Sequence, residues 1–157
     1  MVVAPCTVAV VRHAGGWLFD RVMAGWEATV LVVDQDDDRR PLRILGASTT
    51  DLEAALASPP RGPGPQAIAV EASLYGSDGR VRRLVQEALA GGMTEVKIWG
   101  DGWPADLESE SGSVQHRLST AARAFKAHAL AAAAAPAEPI EFTETFRGSK
   151  PRLVPVS

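Results

Sequence analysis

The sequence has a single cysteine, Cys6, and a single tyrosine, Tyr75, in 157 residues. One thiol closes no internal disulfide and builds no cysteine-based zinc cluster, which leaves the redox setting open and fits a reducing cytoplasm. No apolar run reaches the length of about 18 residues that a membrane helix requires. The alanine-rich segment 127–135 adjoins Lys126 and His128, so it reads as part of a helix of a folded domain. A basic leader followed by an apolar stretch is also missing, and the expectation is a cytoplasmic protein with no membrane contact.

An excess of basic charge is lacking as well. The formal net charge is −3, and the acids Asp34, Asp36, Asp37 and Asp38 account for it, since the chain without them would stand at +1. No strongly basic field is left for a nucleic-acid duplex, so such a partner is disfavoured. Three familiar signatures are absent: the phosphate loop Gly-x-x-x-x-Gly-Lys-Ser/Thr, the dinucleotide fingerprint Gly-x-Gly-x-x-Gly, and the Gly-x-Ser-x-Gly nucleophile elbow. The sequence therefore assigns no cofactor and no catalytic set. The acids at 34–38 lack the glycine and terminal glutamate of a calcium-binding loop, and a solvated loop is the simpler reading.

What is present is an ordinary globular balance, 46% hydrophobic and 22% charged, in a chain long enough for one domain and too short for two of usual size. Apolar runs of strand length alternate with helical patterns. Residues 7–11, Thr-Val-Ala-Val-Val, read as a buried strand, and Arg12-His13-Ala14-Gly15-Gly16 as the turn after it. Residues 17–25 suit a helix, 29–33 a second strand and 42–45 a third. Residues 50–57 suit a helix ended by the proline-rich connector 59–65.

The best-supported pair follows. A strand at 67–72 leads to a helix capped by Ser77 or Asp78, whose apolar residues Val81, Leu84, Val85, Ala88 and Leu89 share one face. Gly91 and Gly92 end it before a strand at 94–99. Ser113 is then expected to cap a long helix ending near Pro136, with a tail at 137–157 that can dock as an edge strand. The predicted architecture is an α/β, three-layer alternating fold with a central, mostly parallel or mixed sheet of about five strands. It forms one domain over 1–135, with the 136–157 tail docked on it.

Two places could carry function. Arg12, His13, Gly15 and Gly16 combine positive charge with a glycine-rich turn whose backbone donors could hold an anion. Val11-Arg12-His13-Ala14-Gly15 resembles the strand-to-loop signature of the histidine phosphatases. That resemblance implies His13 as the phosphoryl-accepting nucleophile and Arg12 as a phosphate clamp. It covers five residues, with Ala14 standing where the signature has glycine. The second place is Trp99-Gly100-Asp101-Gly102-Trp103-Pro104, where Trp99, Asp101 and Trp103 could form a recognition surface. With no complete catalytic constellation, the expected function is a noncatalytic protein-interaction or regulatory module whose partner is another protein. The alternative is a phosphoryl- or nucleotide-related enzyme that takes a small phosphorylated ligand at the 12–16 turn.

Overall fold

Among the described residues seven strands are formed: β1 (Val2–Ala4), β2 (Thr29–Val32), β3 (Ser48–Asp51), β4 (Ala67–Glu71), β5 (Glu95–Trp99), β6 (Gly112–Arg117) and β7 (Thr143–Ser149). The computed structural model, which describes residues 1–58, 62–102, 104–110 and 112–150, joins them into one sheet in the order β3-β2-β1-β4-β5-β7-β6. The first five are mutually parallel, and their order is that of a doubly wound sheet, reversing direction between β1 and β4. β7 runs antiparallel to β5, and β6 antiparallel to β7. The α/β class is as the pattern indicated, with seven strands where about five were expected.

Among the described residues six α-helices, α1 (Thr7–Met23), α2 (Arg40–Ile44), α3 (Leu52–Ala57), α4 (Ala72–Ser77), α5 (Gly79–Gly91) and α6 (Thr120–Ala132), complete the layers. The two-residue period of the strands divides the core. Val2, Ala4, Val30, Val32, Ala67 and Ala69 face α1 and α6, together with Trp99 and Phe146. Val3, Leu31, Ile68, Val70, Val96 and Ile98 face the opposite way, onto Leu52, Tyr75, Val81 and Val85.

Several expected elements take another form. Residues 7–11 are the first turns of α1, and the strand they were expected to make is supplied by the three residues Val2–Ala4. A short apolar run has no periodicity of its own. Val10, Val11, Ala14, Trp17 and Leu18 are buried at helical spacing, so the longer pattern decides it. Residues 42–45 lie in or next to α2, where Pro41 occupies the first turn and fits there because it has no N–H to leave unpaired. The strand of that region is β3, parallel to β2, which excludes a β2–β3 hairpin. Ser113 lies in β6, and the helix cap is Ser119, whose hydroxyl accepts from the Ala122 N–H at 3.0 Å. The tail supplies β7, which inserts between β5 and β6 and is not an edge strand. Residues 59–61, Trp103 and the terminal stretch 151–157, including Leu153 to Val156, lie outside the described residues.

The α5–β5 pair forms as read. Asp78 accepts from the N–H groups of Arg80 and Val81, and Gly92 ends the helix at φ 70°.

The insertion of β7 depends on a glycine. Gly148 stands opposite Lys97 of β5, and a Cβ there would overlap the Val96 carbonyl oxygen. Rotating a side chain cannot relieve a clash with backbone. Gly148→Ala is expected to lower stability by about 1–3 kcal/mol, seen as a reduced urea midpoint. Gly91→Ala, whose added Cβ meets nothing within 4 Å, should leave the midpoint almost unmoved.

Candidate functional site at the carboxyl edge of the sheet

Ligands of parallel α/β sheets gather beyond the carboxyl ends of the strands, where the order reverses. In this chain that edge is furnished with carboxylates that serve the protein's own backbone. The β1–α1 connection is Pro5-Cys6, with no glycine in it. The Thr7 N–H in the first turn of α1 donates to Asp37 Oδ2 at 2.5 Å. The acidic loop after β2 thus turns back to cap α1, and Asp34 fixes its start by donating its N–H to the Pro5 carbonyl at 3.2 Å. On the other side of the reversal, Glu71 ends β4 and caps α4, accepting from the N–H groups of Ser73 and Leu74 and from the Ser73 hydroxyl.

A second carboxylate reaches the middle of α1. Glu144 of β7 accepts from the N–H of Gly16 at 2.9 Å and of Trp17 at 2.6 Å. Lys126 of α6 donates to Glu144 Oε2 at 2.7 Å and to the Arg12 carbonyl at 2.6 Å. Gly16 lies four residues beyond Arg12, so the carbonyl and the N–H that face each other across one turn of α1 each have a side-chain partner. Lys126 and Glu144 are each only 4% exposed. Gly16 has no room for a side chain, because a Cβ would run into Leu118.

Above this pair opens a cleft of about 380 Å³, with Arg12 and His13 on one wall and Glu138, Ile140 and Thr143 on the other. Arg12 bridges it, its Nε 3.0 Å from Glu138. His13 sits at the rim with its pKa below the ordinary 6.5. Partial burial is the main cause, the Lys126 and Arg12 charges add to it, and Glu144 and Glu71 oppose it.

The structure therefore brings Arg12, His13, Gly15 and Gly16 together, but on a helix. The turn that was to cradle an anion is not formed, and neither is the strand-to-loop geometry behind the phosphatase resemblance. The amides of Gly16 and Trp17 do hold an anion, which is the chain's own Glu144. Trp99 is 3% exposed and packs edge-on against Phe146, with ring centroids 6.5 Å apart, so its ring belongs to the core. Asp101 is exposed, between Gly100 and Gly102 at φ 98° and 81°. Trp103 lies outside the described residues.

Two other polar clusters are structural. Asp20 accepts from the Ser119 hydroxyl at 2.6 Å and lies 2.8 Å from His116 Nε2. Burial pushes the Asp20 carboxyl up, but the hydrogen bonds of Ser119 and His116 outweigh it and hold the pKa below the usual range. The hydroxyl here points at the carboxylate and caps α6, which is not the serine-to-histidine contact that nucleophilic catalysis needs. Tyr75 donates to Asp106 at 2.7 Å, and burial followed by that carboxylate raises its pKa. Among the described residues no group of three or more histidine, cysteine or acidic side chains could hold a metal ion, and no helix is long and apolar enough to cross a membrane.

Sequence reasoning missed Asp37, Glu71, Lys126 and Glu144. Two of them carry a signal. Lys126 falls at i+4 from Ala122 and i−3 from Ala129, on the buried stripe of α6, and Glu144 alternates with buried Phe146.

No family model, curated protein or solved structure matches the chain, so its function is argued from its own geometry.

Glu144→Ala strands a buried ammonium and two amides, and is expected to cost about 3–5 kcal/mol in urea unfolding. Lys126→Met combined with Glu144→Gln should cost clearly less, because no lone buried charge remains; equal losses would show that the ion pair is not the source. The His13 shift has its own consequence. The unfolded chain protonates at His13 before the folded one does, so stability is full above pH 6.5 and falls as pH drops through the folded value. Wild type should lose more stability than His13→Gln between about pH 7 and about pH 5, and a histidine NMR titration should place the His13 midpoint below 6.5.

Proposed function

We propose that this chain is a noncatalytic protein-interaction or regulatory module of the cytoplasm, acting on another protein. The observation that carries the reading is the self-occupation of its donor groups. At the carboxyl edge, where a sheet of this order places an anionic ligand on the first helix, the Thr7 amide is engaged by Asp37. The amides of Gly16 and Trp17 and the ammonium of Lys126 are likewise engaged by Glu144. A phosphate entering either place would displace a carboxylate already hydrogen-bonded there. The exposed loop around Asp101, continuing to Trp103 in the sequence, is the recognition element of this proposal.

A second reading keeps one supporting observation. Arg12 and His13 line a cleft, and an imidazole held neutral beside two cations could take up a proton. That supports a phosphoryl- or nucleotide-related enzyme only if the Arg12–Glu138 bridge opens.

Calorimetric titration with inorganic phosphate, pyrophosphate and ATP separates the two readings. No saturable heat is expected. Saturable binding that disappears in Arg12→Ala and His13→Ala would favour the enzyme and overturn the module. For the module, a partner identified by crosslinking in cells and reconstituted from purified components should bind the Asp101→Ala/Trp103→Ala protein about tenfold more weakly, a difference of about 1.4 kcal/mol. The variant's melting temperature should be unchanged.

A further inference from the structure

We infer that the free edge of β6 is a pairing surface for a second copy of this chain. This inference does not depend on the function proposed above.

β6 ends the sheet beyond β7. The Leu118 N–H donates to the Phe142 carbonyl at 2.9 Å, continuing the register in which Arg117 faces Thr143. Backbone groups alternate sides along an antiparallel ladder. Leu118 therefore places those of Val114 and His116 toward β7, and those of Ser113, Gln115 and Arg117 on the open side. Among the described residues no turn, loop or cap hydrogen bond reaches the backbone of these three. Gly112–Arg117 contains neither proline nor lysine, and its one full charge, Arg117, stands at the end of the strand. Val114 and His116 are partly buried, and Ser113, Gln115 and Arg117 are exposed.

The choice of a second copy rests on self-complementarity. An antiparallel pair related by a two-fold axis through Gln115 sets Gln115 against Gln115, Ser113 against Arg117 and Val114 against His116. All three outward residues are then used, with about six main-chain hydrogen bonds, and the two side-chain amides at the axis can bond each other. No like charges face each other. A register centred on Arg117 would oppose two guanidinium groups, and one centred on Ser113 would leave Arg117 beyond the ladder. The contact is isologous and closed, so it produces a dimer with a sheet continuous across both copies and not a fibre.

Sedimentation velocity over a concentration series up to about 100 µM tests this, together with two variants at the axis. Wild type is expected to show a monomer–dimer equilibrium. Gln115→Lys, at an exposed position, should fold with an unchanged melting curve and weaken dimerisation at least tenfold by opposing two ammonium groups. Cys6→Ser/Gln115→Cys should form a disulfide-linked dimer under mild oxidation, because hydrogen-bonded antiparallel residues lie about 5.5 Å apart at Cα, within disulfide range. Cys6→Ser/Ser48→Cys, on the opposite edge, should not. A wild type that stays monomeric throughout overturns the inference, including where the edge instead takes a strand from another protein. A dimer that is indifferent to Gln115→Lys and does not crosslink at residue 115 overturns it equally.

Discussion

The Glu144 carboxylate, buried between α1, α6 and β7, is the contact on which the arrangement of this domain turns. Its two oxygens accept from two backbone amides and one ammonium. Removing a carboxylate and an ammonium from water costs several kcal/mol for each, and a bare pair seldom recovers that. Here the geometry supplies more than a pair, because Lys126 also donates to the Arg12 carbonyl and Glu144 also satisfies Gly16 and Trp17. The α1 amides of Gly16 and Trp17 and the charges carried in by α6 and β7 satisfy one another. Glycine is about 1 kcal/mol poorer than alanine in a helix interior, and at position 16 a Cβ would run into Leu118.

That requirement explains why the end of the sheet was hard to read. β7 carries buried Glu144 and Phe146 on one face and exposed Thr143 and Thr145 on the other. The alternation is genuine, but a glutamate in an inward position reads as polar and hides it. Lys126 does the same for α6 by placing a charge on the stripe formed by Ala122 and Ala129. Charged residues are almost never fully buried unless paired, and the pairing partner is not adjacent in sequence. By contrast α5 and β5 were legible because every local cue agreed: Asp78 at the cap, an apolar face at helical spacing, Gly92 at the stop. β1 failed for another reason. Its three residues are held by pairing with β2 and β4 on both sides, a tertiary effect with no local pattern.

The site shows the same division. Arg12, His13 and the two glycines were identified as a place where backbone donors and positive charge could meet an anion, and donors at Gly16 and Trp17 do meet one. What could not be read was that the anion is internal, since Glu144 is over a hundred residues away in the chain. The acids at 34–38 looked like a solvated loop. Asp36 and Asp38 are exposed, but Asp37 turns back onto Thr7, and nothing in a run of aspartates distinguishes the one that caps a helix.

These internal caps also shape what the domain can offer to others. A helix N-terminus or a pair of amides attracts anions only while its donors are unsatisfied, and in this chain the Thr7 amide and those of Gly16 and Trp17 are supplied from within. A competing phosphate would have to return Asp37 or Glu144 to water, and in the second case also separate it from Lys126 in a site of low exposure. The gain from the new bonds would be offset by the loss of equivalent ones. Backbone groups at the rim of the sheet face no such competition. Among the described residues no turn, loop or cap bond engages the outward N–H and C=O groups of β6, so a strand added there would displace water and no internal carboxylate.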